Sequence, residues 1–168
     1  MQSTSLENRK ALVVGGGQGI GRATALVLAQ AGAEVAVLDS ETARAEAVTE
    51  EVRALGVQAV AITADVTTGD GSAYGVEQAW LALGGLDCVV NIVGASSWAT
   101  LLELDEESWE RDFSVNLKHH WYVARSAAQK WIEADRPGVL CVVGSVSGLF
   151  SAQNHGAYGA AKAGLLSL

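Results

Sequence analysis

The chain is poor in cysteine and histidine and has no excess of basic residues. Its two cysteines, Cys88 and Cys141, both lie in apolar strand-like segments, which predicts small buried side chains in a reducing cytoplasm rather than a disulfide. The three histidines lack the spacing of a metal site, so no metal is expected. Because the formal net charge is −8 and no run of Lys and Arg occurs, neither nucleic acid nor an anionic membrane surface is a favoured partner.

Long apolar runs are also missing. None approaches the roughly 20 residues that cross a bilayer, and the N-terminus lacks the apolar core of a signal peptide. We therefore expect a cytoplasmic protein without a membrane partner. One proline accompanies 19 glycines in 168 residues that are 49% hydrophobic, which predicts one buried core with many tight turns.

Strand-like and helix-like segments alternate along the whole chain. The predicted strands are residues 10–14, 34–38, 58–63, 86–93 and 139–143, and the predicted helices are 22–31, 41–55, 75–83, 105–134 and 155–168. This alternation predicts an α/β fold with a parallel sheet in a single domain, residues 1–168. A stripe of Trp109, Phe113, Leu117 and Trp121 on the long helix is expected to belong to the core.

A glycine-rich turn joins the first strand to the first helix. Gly15, Gly19 and Gly21 follow a Gly-x-x-x-Gly-x-Gly spacing, which permits a tight turn and close backbone approach to a ligand. The N–H groups and positive dipole end of the following helix attract a pyrophosphate. A purely structural glycine cluster is the alternative, but the position after the first strand favours dinucleotide binding.

An acidic residue follows the second strand at the position where a dinucleotide's ribose is bound. Asp39 lies 18 residues beyond Gly21, where a carboxylate accepts hydrogen bonds from ribose hydroxyls and repels a 2′-phosphate. No basic residue follows at positions 40–42, so NAD is favoured over NADP. Two alternatives stay open: Asp39 as an ordinary helix-entry residue, and Arg22 as a phosphate contact close to the turn.

Tyr158 and Lys162 are spaced four apart on the last predicted helix. This spacing puts both side chains on one face, about 6 Å apart along the axis. A phenol ordinarily titrates near pH 10, and a neighbouring ammonium stabilises its ionised form, so the pair is a candidate general acid/base. Taken alone, such a pair also occurs on many surface helices.

Together these motifs resemble the short-chain dehydrogenase/reductase family, of the single-domain NAD(P)-dependent type. The resemblance covers residues 10–168 and depends on the order of the motifs as well as their composition. They are the turn Val14-Gly15-x-x-x-Gly19-Ile20-Gly21, then Asp65-Val66, Asn91-Ile92-Val93-Gly94, Val115-Asn116-Leu117, Ser145 and Tyr158-x-x-x-Lys162. The sequence departs from the family at Val14, where threonine is usual, and at Ile92 and Val93, where the family has Asn and Ala.

The resemblance implies a Rossmann-like doubly wound parallel sheet, strand order 3-2-1-4-5, lacking the family's last strands. It implies cofactor binding by Gly15, Gly17, Gln18, Gly19, Ile20, Gly21, Asp39, Asp65, Val66, Asn91, Gly94, Tyr158 and Lys162. The implied catalytic residues are Asn116, Ser145, Tyr158 and Lys162. The implied assembly is a homo-oligomer formed through the helices of Asn116 and Tyr158.

The implied activity is NAD(H)-dependent interconversion of a secondary alcohol and a ketone or aldehyde. Tyr158 would act as the general acid/base, and Lys162 would favour its ionised form and bind the nicotinamide ribose. Ser145 would donate a hydrogen bond to the substrate oxygen, and Asn116 would hold a water beside Lys162.

The chain ends at Leu168, where the family continues with two further strands and a loop that closes over the substrate. A second hypothesis is therefore a non-catalytic dinucleotide-binding or subunit-interaction fragment of such an enzyme. Trp98, Leu101 and the loop 147–154 are candidates to line a substrate pocket, and His155 is expected in the loop before Tyr158.

Overall fold

The computed structural model describes residues 5–150 and 152–168, and a five-stranded parallel sheet forms its centre. The strands are β1 Lys10–Val14, β2 Glu34–Asp39, β3 Ala59–Thr63, β4 Cys88–Asn91 and β5 Val139–Val142. They lie in the order β3-β2-β1-β4-β5, which confirms the predicted fold class and strand order. The helices are α1 Gly19–Gln30, α2 Thr42–Arg53, α3 Gly69–Leu83, α4 Glu106–Phe113, α5 His119–Glu133 and α6 Gly156–Ser167.

Helices cover both faces of the sheet and bury its apolar side chains in two clusters. Leu12 and Val14 point to the face covered by α3 and α5, through residues such as Val76 and Val123. Val13 points to the opposite face, which α1 and α2 cover. This two-sided burial explains why the central strands read as continuous apolar runs.

The direction of the connections reverses at β1, which creates a crevice at the carboxyl edge of the sheet. β1 pairs with β2 on one side and with β4 on the other. The loops after β1 and β4 therefore diverge to opposite faces, and ligands of doubly wound folds bind in the gap between them.

Several element boundaries differ from the predictions. α3 begins at Gly69, six residues before the predicted start, because the Thr68 hydroxyl accepts a hydrogen bond from the Gly71 N–H at 3.0 Å and caps the helix. β4 is shorter than predicted and ends at Asn91. The predicted helix 105–134 is interrupted by a π-helix over Ser114–Lys118, which separates α4 from α5.

The aromatic stripe on α4 and α5 does not belong to the core, so that prediction is wrong. Trp109 is 37% exposed and Trp121 is 44% exposed. The faces that point inward carry Val123 and Ala127, together with Asp112 and Asn116, which hydrogen bonds allow to be buried. Among the described helices, none is long and apolar enough to cross a membrane.

The prediction that both cysteines are buried is also wrong. Both thiols are free, Cys88 is only half-buried, and Cys141 is exposed. The reason lies in the sheet: β5 is an edge strand, and all four of its residues are exposed, with Val139 at 62%.

Candidate active site

The glycine turn between β1 and α1 forms one end of the crevice. Gly15 and Gly19 have φ angles of +80° and +52°, in the left-handed region that favours glycine. A Cβ at Gly21 would collide with the carbonyl oxygen of Gly15. α1 has no acidic residue in its first turn, and Gln18 makes no side-chain cap, so its first N–H groups are available to an anion.

A cleft of about 570 Å³ runs from this turn along the carboxyl edge of the sheet. It is lined by nine of the predicted cofactor residues: Gly15, Gln18, Gly19, Ile20, Gly21, Asp39, Asp65, Val66 and Gly94. It is also lined by Leu38, Ser40, Arg44, Ala64, Thr67, Ile92, Val93 and Val115. Two other predicted cofactor residues, Gly17 and Asn91, are buried and do not line the cleft.

The Asp39 carboxylate connects the glycine turn to the start of α2. Its Oδ2 accepts a hydrogen bond from the Gly17 N–H at 3.0 Å, and its Oδ1 accepts one from the Glu41 N–H at 3.1 Å. A Cβ at Gly17 would collide with this carboxylate, so glycine at position 17 lets the turn approach Asp39 closely.

Two arginines near this end of the cleft have different environments. Arg22, the predicted phosphate contact, forms a two-pronged pair with Glu51, with Nε at 2.9 Å from Oε1. Arg44 lines the cleft beside Asp39, although sequence reasoning did not select it. It lies five residues after Asp39, in the first turn of α2. This closeness to Asp39 was the signal that the sequence offered.

Three of the predicted residues meet at the other end of the cleft. A Cβ at Gly94 would lie 3.0 Å from Asn116 Oδ1 and 3.6 Å from Lys162 Nζ. Lys162 is almost fully buried, and its Nζ donates to the Val143 carbonyl at 2.9 Å. Burial lowers the pKa of the Lys162 ammonium.

Ser145 and Tyr158 lie on two elements that pack directly against each other. Ser145 caps a short 3₁₀ turn, Val146–Gly148, by accepting a hydrogen bond from the Ser147 N–H at 3.1 Å. A Cβ at Gly159 would lie 3.0 Å from the Ser147 carbonyl oxygen, so the turn approaches α6 one residue after Tyr158. Tyr158 is half-buried, and its ring packs edge-on against His155 at a centroid distance of 5.3 Å.

Buried polar side chains on one side of the interrupted helix hold the loop that follows β4. The Asp112 carboxylate accepts from the N–H and the hydroxyl of Ser97. Asn116 donates to the Ala95 carbonyl at 2.6 Å and accepts from the Ala95 N–H at 3.2 Å. One turn further, a ring nitrogen of His119 lies 3.1 Å from Asn91 Oδ1.

Sequence reasoning missed Asp112 and His119, which are buried in the structure. The usable signal was their spacing of four and three residues from Asn116, which places three polar side chains on one face of a helix. The Asn91 amide oxygen can only accept a hydrogen bond, so the Nε2 of His119 is assigned as the donor. Burial lowers the pKa of His119 to about 4, and it lowers the pKa of the neighbouring His120 to about 3.

Comparison with known proteins identifies the family. A family model described as short chain dehydrogenase matches residues 9–168. The chain belongs to the short-chain dehydrogenase family. Among the described residues, no group of three or more His, Cys, Asp and Glu side chains could hold a metal ion.

The relatives are oxidoreductases of greater length. An uncharacterized oxidoreductase of Mycobacterium tuberculosis is 34% identical over 95% of this chain and 61% of its own. An L-rhamnose 1-dehydrogenase (NAD(P)(+)) of Sphingomonas is 32% identical over 97% of this chain and 65% of its own. A crystal structure of a short-chain type dehydrogenase/reductase from Mycobacterium marinum superposes with a TM-score of 0.93 at 29% identity, covering 98% of this chain and 65% of that one. The chain thus spans less than two thirds of the length of these relatives.

The residues of the cleft fit a nicotinamide dinucleotide. Gly19 borders open space, since a Cβ there would meet nothing within 4 Å, and the unpaired N–H groups of α1 suit a diphosphate. Asp39 suits a ribose diol, and Gly94 leaves room beside the Lys162 ammonium at the far end.

Proposed function

We propose that the protein is an NAD(H)-dependent oxidoreductase that interconverts a secondary alcohol and a ketone or aldehyde. The observation that carries this proposal is one continuous cleft that begins at the N-terminus of α1, where the first N–H groups are free, and reaches Gly94, against which Lys162 and Asn116 pack. The bound nicotinamide would supply or accept the hydride. The protein's own residues would bind and orient both reactants and move the proton.

Tyr158 is proposed to give a proton to the carbonyl oxygen during reduction and to remove it from the alcohol during oxidation. Lys162 stands one helical turn away and uses one of its three N–H donors on Val143. Two donors remain for the ribose hydroxyls and for stabilising the phenolate.

Ser145 is proposed to donate a hydrogen bond to the substrate oxygen. Its oxygen accepts from the Ser147 N–H, and its hydroxyl hydrogen stays free to donate. Such a donor stabilises negative charge that develops on the substrate oxygen in the transition state.

Asn116 is proposed to act through the loop that follows β4 rather than by holding a water with its side chain. Its amide oxygen and nitrogen are engaged by Ala95 and by the Asp112 carbonyl. These bonds fix Gly94 and Ala95 beside Lys162, where the nicotinamide end of the cofactor would lie.

NAD is the proposed cofactor, with NADP as the second candidate. The Asp39 carboxylate at the ribose position repels a 2′-phosphate, which favours NAD. Arg44 lines the same part of the cleft and offers a cation to that phosphate. We favour NAD because two backbone hydrogen bonds fix the Asp39 carboxylate in place.

We further propose that the exposed aromatic stripe joins two copies of the chain. Trp109 and Trp121 flank the π-helix. A shallow apolar pocket beside Trp121 is lined by Leu117 of the π-helix, by Gly164 of α6 and by Leu168, which follows α6. Exposed apolar patches of this kind mark interaction surfaces. Sedimentation of the wild type and of Trp121→Arg tests this, and a monomer in both would refute it.

The function is tested by NADH binding, followed by fluorescence, and by NADH oxidation with a panel of ketones. We expect binding and turnover, and we expect Gly21→Ala to abolish binding because its Cβ would collide with Gly15. Gly156→Ala is the matched control, since a Cβ there meets nothing within 4 Å. Circular dichroism of each variant separates lost binding from lost folding.

The outcomes separate the two hypotheses for this chain. Binding together with turnover supports the oxidoreductase. Binding by a folded protein without turnover of any ketone supports a non-catalytic dinucleotide-binding chain. Wild-type protein that is folded but does not bind NADH would contradict both the oxidoreductase and the dinucleotide-binding chain, and would leave only the subunit-interaction role.

A further inference from the structure

Large apolar side chains are exposed on both loops next to Tyr158. The loop after β4 exposes Trp98, Leu101 and Leu102, and the turn after β5 exposes Val146, Leu149 and Phe150. Trp98 is 71% exposed. Both loops leave the carboxyl edge of the sheet, so these side chains border the place where a substrate would approach Tyr158.

Three aromatic rings connect the first of these loops to Tyr158. The Trp98 indole packs edge-on against the His155 imidazole, with ring centroids 3.9 Å apart. His155 in turn packs edge-on against Tyr158 at 5.3 Å. A bridge between Ala99 and His155, with the Ala99 N–H donating to the Asn154 carbonyl at 3.2 Å, fastens the two segments to each other.

The backbone on either side of Trp98 is held in place. Ser97 is bound by the buried Asp112 carboxylate, and its hydroxyl also accepts from Arg111 at 2.6 Å. Ala99 is held by the bridge to His155. The indole is therefore presented from a preorganised loop, which reduces the entropy lost when a ligand binds against it.

We propose that Trp98 and His155 form an aromatic wall that binds a flat apolar ring attached to the reacting carbon of the substrate. The substrate class is thus a ring-bearing secondary alcohol or ketone, in preference to a polyhydroxylated chain. A ring packs against the exposed indole by apolar burial and edge or stacked contacts. A polyol would lose hydrogen bonds to water against the same apolar rim. The inference builds on the oxidoreductase proposed above.

The test compares acetophenone, which carries a flat ring, with dihydroxyacetone, which carries hydroxyls. For wild-type protein saturated with NADH, we expect kcat/KM to favour acetophenone at least about 10-fold, the selectivity typical of an apolar pocket. Trp98→Ala should lower kcat/KM for acetophenone by about 10-fold, mostly through KM, and leave dihydroxyacetone within about 2-fold, because only the ring contacts are lost.

Two variants serve as controls. Trp98→Phe keeps a flat side chain and should retain most of the preference for acetophenone. Leu81→Ala removes a 63% exposed apolar side chain from the last turn of α3 and should change kcat/KM for neither substrate.

A binding measurement tests the aromatic wall independently of turnover. Calorimetry of acetophenone with cofactor-free protein should show a dissociation constant that Trp98→Ala raises and Leu81→Ala does not. If no ketone is reduced but this difference is found, the wall stands and the oxidoreductase proposal fails. An unchanged dissociation constant for Trp98→Ala, or a preference for dihydroxyacetone in turnover, would overturn the wall.

Discussion

At the scale of single residues, the Asp39 carboxylate and the Arg44 guanidinium belong to two residues that line the same cleft. Asp39 was predicted from its distance to the glycine turn and lines the cleft. Arg22 directly follows Gly21 in the sequence. Its guanidinium is nevertheless paired with Glu51 on α2, a contact between residues 29 apart. Arg44 reaches the cleft from the start of α2. Which of two nearby cations faces a ligand depends on how the helices pack, and local spacing does not contain that information.

The choice between NAD and NADP tests these residues directly. Asp39→Ser should raise the affinity for NADPH relative to NADH by about tenfold, which corresponds to about 1.4 kcal/mol, because a carboxylate no longer repels the 2′-phosphate. Arg44→Ala should weaken NADPH binding and leave NADH nearly unchanged. Titration of both cofactors by fluorescence measures the ratio, and Arg22→Ala serves as the control.

Equal loss of NADH and NADPH affinity in Arg44→Ala would contradict this assignment. It would mean that the arginine meets the diphosphate shared by both cofactors.

At the scale of elements, the main difference from prediction is the π-helix. Hydrophobic periodicity correctly indicated helix across 105–134, but one extra residue in a turn leaves that pattern nearly unchanged. The buried face is polar at Asp112, Asn116 and His119, and each of these side chains bonds the strand end or loop of β4. A pattern search that counts only apolar residues cannot find such a face, because its burial depends on tertiary hydrogen bonds.

Removal of the Asn116 side chain tests how much its hydrogen bonds to the loop after β4 contribute to stability. Asn116→Ala should lower the free energy of unfolding by about 2–4 kcal/mol, because it removes the three hydrogen bonds that the buried Asn116 amide makes with Ala95 and Asp112, at about 0.5–1.5 kcal/mol each. Gln129→Ala on α5 is the matched control, because its amide bonds only Glu133 on the surface and should cost less than about 0.5 kcal/mol. Urea unfolding followed by circular dichroism measures both.

An Asn116→Ala variant as stable as Gln129→Ala would show that the loop after β4 is held by other contacts. The proposed positioning role of Asn116 would then fail.

At the scale of the whole molecule, the alternation of segments predicted a parallel sheet, and the resemblance to a known family implied its strand order, which the structure confirms. Neither predicted which faces are covered. Cys141 and the Trp109–Trp121 stripe have the apolar character of core residues, yet the first lies on an edge strand and the second on an outer helix face. A sequence pattern reports that a side chain is apolar, and only the packing reports whether another element covers it.

The stability of the molecule should depend on pH because His119 and His120 are buried in the neutral form. Burial lowers their pKa to about 4 and about 3, whereas an unfolded histidine titrates near 6.5. The unfolded chain therefore takes up protons first as the pH falls, and stability is full above pH 6.5 and is lost below it. Between pH 7.5 and 5 we expect a loss of roughly 2 kcal/mol for each histidine.

Chemical unfolding at a series of pH values measures this loss, and His120→Phe should remove about half of it. Asp87 contributes little in that window: partial burial raises the pKa of its carboxyl, but hydrogen bonds from Arg136 and Lys10 lower it by more, so its contribution is lost only nearer pH 4 and below. A stability that is constant from pH 7.5 to 5 would mean that both histidines titrate in the folded protein as they do in the unfolded chain, and it would contradict their burial in the neutral form.

The central claim is that the phenol of Tyr158 transfers the proton. The most direct measurement is steady-state reduction of a ketone by Tyr158→Phe, with NADH affinity determined on the same preparation and with Tyr74→Phe, an exposed tyrosine on α3, as the control. The account predicts a fall in kcat of at least about 100-fold for Tyr158→Phe, the usual contribution of a general acid, with NADH binding retained and Tyr74→Phe unaffected. Turnover by Tyr158→Phe within about twofold of the wild type would contradict it.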